Sequence, residues 1–281
     1  MNSSHTQIRD QQKEVWNKFS GGWQKWNQFA MNWLSPVGKE IIANLHLTEN
    51  DQVLDIAAGT GEPGLSIAKI VKNGKVIVTD LSDDMLVHAR VNAREMGIYN
   101  FDTQACDVCE LPFLENSFDA LSCRFGFMFF PDMQIAADEM ARVTKPGGRV
   151  ATSVWNIPER NLWITAIMGT IAKNMELPAP PHNAPGMFRC AKPGFIEEVF
   201  KNAGLKNVGS SEVSFTLNAG DPDTYWSFMN EVAAPVVAAL AKADNETTQK
   251  IKTEVYKLLH DRFPEGNMSI PCSAIVIYGE K

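Results

Sequence analysis

The segment Asp55-Ile56-Ala57-Ala58-Gly59-Thr60-Gly61-Glu62-Pro63-Gly64 constrains this chain more than any other. It follows a β-rich run, VLDIA at 53–57, and leads into an amphipathic stretch at 64–72. Gly59, Gly61 and Gly64 stand at G-x-G-x-x-G spacing. Without a Cβ the backbone can turn sharply there and bring its N–H groups close to a ligand at a helix start. Those groups favour an anion, and a pyrophosphate or the carboxylate of a bound amino acid would both suit them. A helix-packing turn with no ligand carries the same signature.

The pattern around the loop narrows the architecture. KVIVTD (75–80), FDTQAC (101–106), FDALSC (118–123) and RVATSVW (149–155) are short β-rich runs, separated by amphipathic stretches near 64–72, 83–97 and 133–143. Strands alternating with helices imply right-handed crossovers and a parallel sheet covered on both faces, an α/β fold. KPGG (145–148) is read as a turn, 177–194 as a proline- and glycine-rich loop, 193–203 as a helix and 208–217 as a strand. Residues 222–262 are expected to be helical and 273–280 to form a closing strand.

Ahead of the first strand, Trp16, Phe19, Trp23, Trp26, Ala30 and Trp33 recur at helical spacing, with Ser20-Gly21-Gly22 read as a bend. That aromatic face either packs on the main domain or closes over a ligand. The organisation expected is an N-terminal helical lid (1–45), a cofactor-binding core (46–156) and a cap insertion (157–194). A core helix and strand (195–217), a helical cap (218–268) and a closing core strand (269–281) follow.

With a net charge of −7 and no lysine- or arginine-rich run, the chain lacks what neutralising nucleic-acid phosphates requires. The polar start MNSSHTQIRDQQKE reads as no secretory signal, and no apolar run reaches the length of a membrane span. A cytoplasmic protein without integral membrane association is expected; the sequence leaves its oligomeric state open. Cys106 and Cys109 form one C-x-x-C pair with no second pair, so reduced thiols and no metal site are expected.

Three acids decide between the candidate anions. Asp55 ends the first strand four residues before Gly59; a carboxylate there would repel a pyrophosphate but could hold an α-ammonium, directly or through water. Asp80 ends the next strand, where it can accept both ribose hydroxyls. Asp107 follows the third, in reach of an adenine amino group. A glycine loop and three acids along one sheet edge describe a zwitterionic amino acid joined to adenosine, which is S-adenosylmethionine.

VLDIAAGTGEPG, VTDLSDDML, ACDVCELPFLENSFDALSCRFGFMFF and ARVTKPGGRV resemble, in order and spacing, the blocks of class I S-adenosylmethionine-dependent methyltransferases. They are similar in flavour to the ubiquinone/menaquinone biosynthesis methyltransferases and their small-molecule relatives. The blocks cover 53–155. The resemblance implies a Rossmann-like, doubly wound, seven-stranded sheet whose last strand is antiparallel and inserted between the fifth and sixth. It implies cofactor contacts from the backbone of Ala57, Ala58, Gly59, Thr60 and Gly61, and from Asp80, Asp107 and Val108. Leu81 and Met85 would flank the adenine. Arg124 would stand where the methyl group meets the acceptor. The acceptor-side signatures of the quinone enzymes are not evident, so a quinone acceptor is not implied.

The implied partner is a small-molecule acceptor methylated on oxygen, nitrogen or carbon. Among five histidines only His182 lies in a segment expected to overhang the site, which makes it the candidate catalytic base. Asp132 reads as a helix N-cap. Trp23, Trp26, Phe127 and Phe188 are the candidate acceptor-binding residues. Trp163, Met168, Met187, Trp226, Phe228 and Met229 add to an apolar, aromatic composition in the cap segments. Two other readings compete: a non-catalytic adenosyl-binding partner protein, and an NAD-dependent oxidoreductase. No Y-x-x-x-K hydride-transfer pair supports the second.

Overall fold

The computed structural model describes residues 3–177 and 184–281, so His182 lies outside the described residues. The seven strands are β1 (Gln52–Ile56), β2 (Lys75–Asp80), β3 (Phe101–Ala105), β4 (Phe118–Arg124), β5 (Thr144–Trp155), β6 (Lys206–Gly220) and β7 (Met268–Glu280). They form one sheet in the order β3-β2-β1-β4-β5-β7-β6. The first five pair in parallel, and β7 enters antiparallel between β5 and β6. This is the Rossmann-like sheet that the resemblance implied. Because β1 and β4 are central neighbours, their C-terminal ends meet in mid-sheet, where a doubly wound fold opens a crevice.

The described helices are α1 (Ser3–Lys25), α2 (Asn27–Leu45), α3 (Gly64–Ala68), α4 (Asp83–Glu95), α5 (Met133–Val143) and α6 (Leu162–Asn174). They continue as α7 (Phe195–Asn202), α8 (Pro222–Val232), α9 (Ala234–Leu240) and α10 (Asn245–Arg262). Local chemistry starts several of them. Ser82 Oγ accepts the Met85 N–H at 3.1 Å, capping α4, and Asp83 and Asp84 fill its positive first turn. Asp132 accepts from the Gln134 and Ile135 N–H groups and caps α5, as its sequence position suggests.

Two local expectations are corrected. KPGG is not a free turn: β5 starts at Thr144, and its register on β4 jumps from Phe118–Thr144 to Ala120–Arg149. Residues 145–148 are thus extra residues in a bulged strand, with Gly147 at φ +79°. Ser20-Gly21-Gly22 is not a bend, because α1 runs unbroken to Lys25 and the break falls at Trp26 (φ −95°, ψ 11°). Gly22 has a packing role instead: a Cβ there would stand 2.2 Å from the Glu231 carbonyl oxygen, so only glycine lets α1 approach α8 this closely. Within the cap insertion expected at 157–194, Leu162–Asn174 forms α6. Its buried residues Trp163, Ile164, Ala166, Ile167, Thr170 and Ile171 lie on one face, but Leu162, Met168 and Ala172 off that face are apolar too, which blurs the amphipathic period.

The first two helices lie across the crevice. Asn17 on α1 accepts from Ser82 Oγ at 2.6 Å, and Thr60 Oγ1 donates to Asn27 on α2 at 2.8 Å. Lys25 and the Trp26 indole both donate to Glu231 on α8, at 2.6 and 3.0 Å. Helices α6, α8 and α9 pack together above the β5–β7–β6 side. The buried Tyr225 hydroxyl ties α8 to α6 by donating to the Trp163 carbonyl at 2.7 Å. No helix of the described residues is long and apolar enough to cross a membrane.

Candidate functional site

A cavity of about 800 Å³ occupies the crevice, roofed by α1, α2, α6, α8 and α9. That is within the usual range for a small-molecule site. One half lies along the ends of β1, β2 and β3. There Ala57, Ala58, Gly59, Thr60, Asp80, Leu81, Met85, Asp107, Val108 and Arg124 line the wall. The structure thus brings together ten of the twelve expected cofactor residues; Asp55 and Gly61 do not line the cavity.

The glycines do three different jobs. Gly59 has φ +56°, and a Cβ added to it meets no atom within 4 Å, so the space beside it, on the cavity wall, is open. Gly61 has φ +113° and faces the protein, where a Cβ would stand 2.9 Å from Leu65. Gly64 lets α3 pack on the sheet; its Cβ would stand 2.7 Å from Val78 and 2.9 Å from the Asp55 carboxylate.

Asp55 is fully buried beneath the loop. Its carboxylate accepts the Gly64 N–H at 2.8 Å and the Ser122 hydroxyl at 2.6 Å. Burial pushes it up to about 7, against these two hydrogen bonds and the Arg124 charge. The expectation of direct contact with a ligand's ammonium is therefore corrected: Asp55 shapes the loop from behind. The Ser66 N–H is likewise taken by Glu62 at 3.3 Å. Two of the amides that open α3 are thus closed by this chain's own carboxylates.

Asp80 does line the cavity. Its two oxygens accept the Gly59 and Ser82 N–H groups, both at 2.9 Å, which fixes the side chain and leaves lone pairs on each oxygen. Burial raises it above the ordinary carboxylate range, opposed by those backbone donors. Asp107 caps the Cys109 N–H at 2.9 Å and also faces the cavity. Burial pushes the Cys106 and Cys109 thiols up to about 12, so both stay protonated, the opposite of what metal binding or redox exchange needs.

Arg124 extends from the end of β4 into the cavity wall. Its Nη2 reaches the Met31 sulfur at 3.1 Å, and no carboxylate among the described residues lies within ion-pair distance. Burial lowers its pKa, while Glu62 and Asp55 act at longer range to hold the charge. A guanidinium held in this way offers unused donors to an anion.

The other half of the cavity is aromatic and aliphatic. Phe125, Trp155, Trp33, Trp163 and Phe228 form one wall. The Phe125 and Trp155 rings stack at 4.2 Å and 14°, and Trp33 stacks on Trp155 at 5.7 Å and 26°. Trp23, Phe188, Met168 and Met187 also line the cavity. Trp26 and Phe127 do not. Trp26 turns its ring onto Phe29 and Phe228 and its N–H to Glu231. Phe127 is fully buried against Phe130 and Phe200. Met229 is likewise core, and Trp226 packs on Tyr256 away from the site. Sequence reasoning did not single out Phe125 or Trp155 for the acceptor: Phe125 belongs to the aromatic run Phe125, Phe127, Phe129 and Phe130, which reads as core packing with a minority facing an apolar substrate. Strand alternation continued past Arg124 gives no sign that φ at Phe125 is +61°.

Residues 53–148 match the methyltransferase domain family. An uncharacterised protein of Mycobacterium tuberculosis is 35% identical over 122 residues, 43% of each chain. The ubiquinone/menaquinone biosynthesis C-methyltransferase of Bdellovibrio bacteriovorus is 39% identical over 112 residues, 40% of this chain and 47% of that one. The chain thus spans less than half the length of these curated relatives. Among solved structures, the YcgJ protein of Bacillus subtilis superposes with a TM-score of 0.56 at 21% identity, covering 88% of this chain and 98% of that one.

Proposed function

We propose that this chain, whose residues 53–148 match the methyltransferase domain family, is a class I S-adenosylmethionine-dependent methyltransferase that uses S-adenosylmethionine to methylate a small apolar or aromatic acceptor. The observation that carries this reading is a single cavity joining the Gly59–Asp80–Asp107 edge to the aromatic wall. The residues present fit the cofactor. Open space lies beside Gly59, two carboxylates suit ribose hydroxyls and an adenine amino group, Leu81, Met85 and Val108 suit its ring, and Arg124 suits an α-carboxylate. The carboxylates that close the Gly64 and Ser66 amides count against a pyrophosphate, and so against an NAD-dependent oxidoreductase.

When bound, the cofactor supplies a methyl group on a reactive sulfonium. The chain's own residues position and desolvate. Asp80, pre-set by the Gly59 and Ser82 amides, holds the ribose without having to reorganise. The aromatic wall and the α1–α2 roof exclude water. Orienting two bound reactants in this way can lower the barrier by roughly 7–11 kcal/mol. Trp23 and Phe188 would contact the acceptor. His182 is the base we assign where an oxygen or carbon acceptor must lose a proton.

Calorimetry with S-adenosylmethionine, S-adenosylhomocysteine and NAD tests the reading. Binding of the first two alone supports it, and binding of NAD alone overturns it. Cofactor binding without methyl transfer to any member of an acceptor panel would favour a non-catalytic adenosyl-binding protein.

A further inference from the structure

Phe125 has an uncommon backbone. A bulky side chain at φ +61° persists only where its surroundings hold it, and such residues gather at functional sites. Here the hold is visible. The Phe125 N–H donates to the Ser153 carbonyl at 3.1 Å and to its hydroxyl oxygen at 3.2 Å. The next residue, Gly126, is pressed so closely that a Cβ would stand 2.6 Å from Cys123 Sγ and 2.9 Å from the Ala57 methyl. Ala57 is itself left-handed at φ +53° and lines the cofactor half. The end of β4 is therefore locked against the cofactor loop on one side. On the other, the Phe125 ring lies on Trp155, which leads to Trp33 and Trp163 at centroid distances of 5.7 and 4.8 Å.

We propose that Phe125 is the positioning and specificity residue of this site: its ring sits between the cofactor half and the acceptor half and is the surface on which a flat aromatic acceptor stacks. The proposal rests on the methyltransferase reading. A flat ring suits the compartment because the wall beyond Phe125 is built from indoles, Trp33 stacked on Trp155 and Trp163 tilted against it, and α9 adds the small side chains Ala234 and Ala238 to the lining. A cationic amine suits it poorly. The carboxylates among the described residues that line the cavity, Glu62, Asp80 and Asp107, all belong to the cofactor half. A cation on the aromatic side would lose its hydration with no counter-charge. Offset stacking on an aromatic face contributes beyond simple burial and is lost when the face is removed.

The test uses 2-naphthol as the probe and protein saturated with S-adenosylhomocysteine, with both affinities read by calorimetry. The parent binds 2-naphthol, and Phe125→Tyr retains that binding because the face is kept. Phe125→Leu keeps the apolar bulk and weakens binding roughly two- to tenfold, the size of a lost stacking contribution. Phe125→Ala weakens it more than tenfold, by roughly the loss of a buried ring contact. S-adenosylhomocysteine affinity stays within about threefold throughout, because its contacts come from the loop and the acids. A merely structural role would weaken both ligands together. The proposal is overturned if the saturated parent does not bind 2-naphthol, or if Phe125→Leu and Phe125→Ala bind it like the parent. A parent that fails to bind S-adenosylhomocysteine overturns the methyltransferase reading itself.

Discussion

Gly59 and Gly64 sit five residues apart in one loop, and the structure assigns them roles that substitution by alanine separates. At Gly59 the backbone φ is +56° and no protein atom lies within 4 Å of the new methyl. Gly59→Ala therefore costs the left-handed penalty, about 1–2 kcal/mol, without any clash inside the protein. The methyl enters the open space where the cofactor would lie, beside the amide that donates to Asp80. Displacing the ligand by even one lost contact of about 1.4 kcal/mol weakens binding about tenfold. At Gly64 the new methyl would meet Val78 at 2.7 Å and the Asp55 carboxylate at 2.9 Å. Overpacking of that kind costs about 1–3 kcal/mol and leaves the cavity untouched. Both variants should thus melt lower by several degrees, at roughly 2–4 °C for each kcal/mol in a large domain. Only Gly59→Ala should lose S-adenosylhomocysteine affinity, by tenfold or more, while Gly64→Ala stays within about threefold. The assay is a melting curve and a calorimetric titration on each. Equal weakening of the ligand by both variants would refute the assignment.

Other consequences are equally direct. Asp80→Ala should weaken S-adenosylhomocysteine by about 1.5–3 kcal/mol and also destabilise the chain, since the Gly59 and Ser82 amides lose their acceptor; unchanged binding removes Asp80 from the site. Asp107→Ala should cost less than Asp80→Ala in the same titration, and the reverse order contradicts the ribose assignment. Asp55 is held at about 7 by burial, against an ordinary value of 3.8, so the folded state binds its proton more tightly than the unfolded state. Its contribution is full below about 4 and is lost as pH rises through about 7. Melting from pH 4 to 8 should fall less for Asp55→Asn than for the parent, and parallel curves contradict this. If the α1–α2 roof is the lid expected over 1–45, S-adenosylhomocysteine should slow hydrogen exchange in residues 16–33, and protection independent of ligand rejects the lid.

Much of the sheet was legible because its signals are local. A strand ending in an acid, as at Asp80, or a helix opening on Ser82 or Asp132, is written within a few residues. What the sequence hid depends on long-range contact. Gly22 looked like a bend, but its purpose is the Glu231 backbone, more than two hundred residues away. Asp55 looked like a ligand contact, yet whether its carboxylate faces the cavity or Ser122 depends on how β1 and β4 pair. Phe125 and Phe127 lie two residues apart in one aromatic run, and nothing local separates them. Only the positive φ at Phe125, imposed by β5 and the Ala57 loop, decides which ring enters the cavity.

The most direct test of the central claim is a crystal structure of the protein with S-adenosylhomocysteine. The account predicts ribose hydroxyls on Asp80, the adenine between Leu81 and Met85 with its amino group toward Asp107, and the α-carboxylate on Arg124. The thioether sulfur would face Phe125. A ligand bound elsewhere, or an adenosyl group lying among Trp33, Trp155 and Trp163 with Asp80 left free, would contradict it.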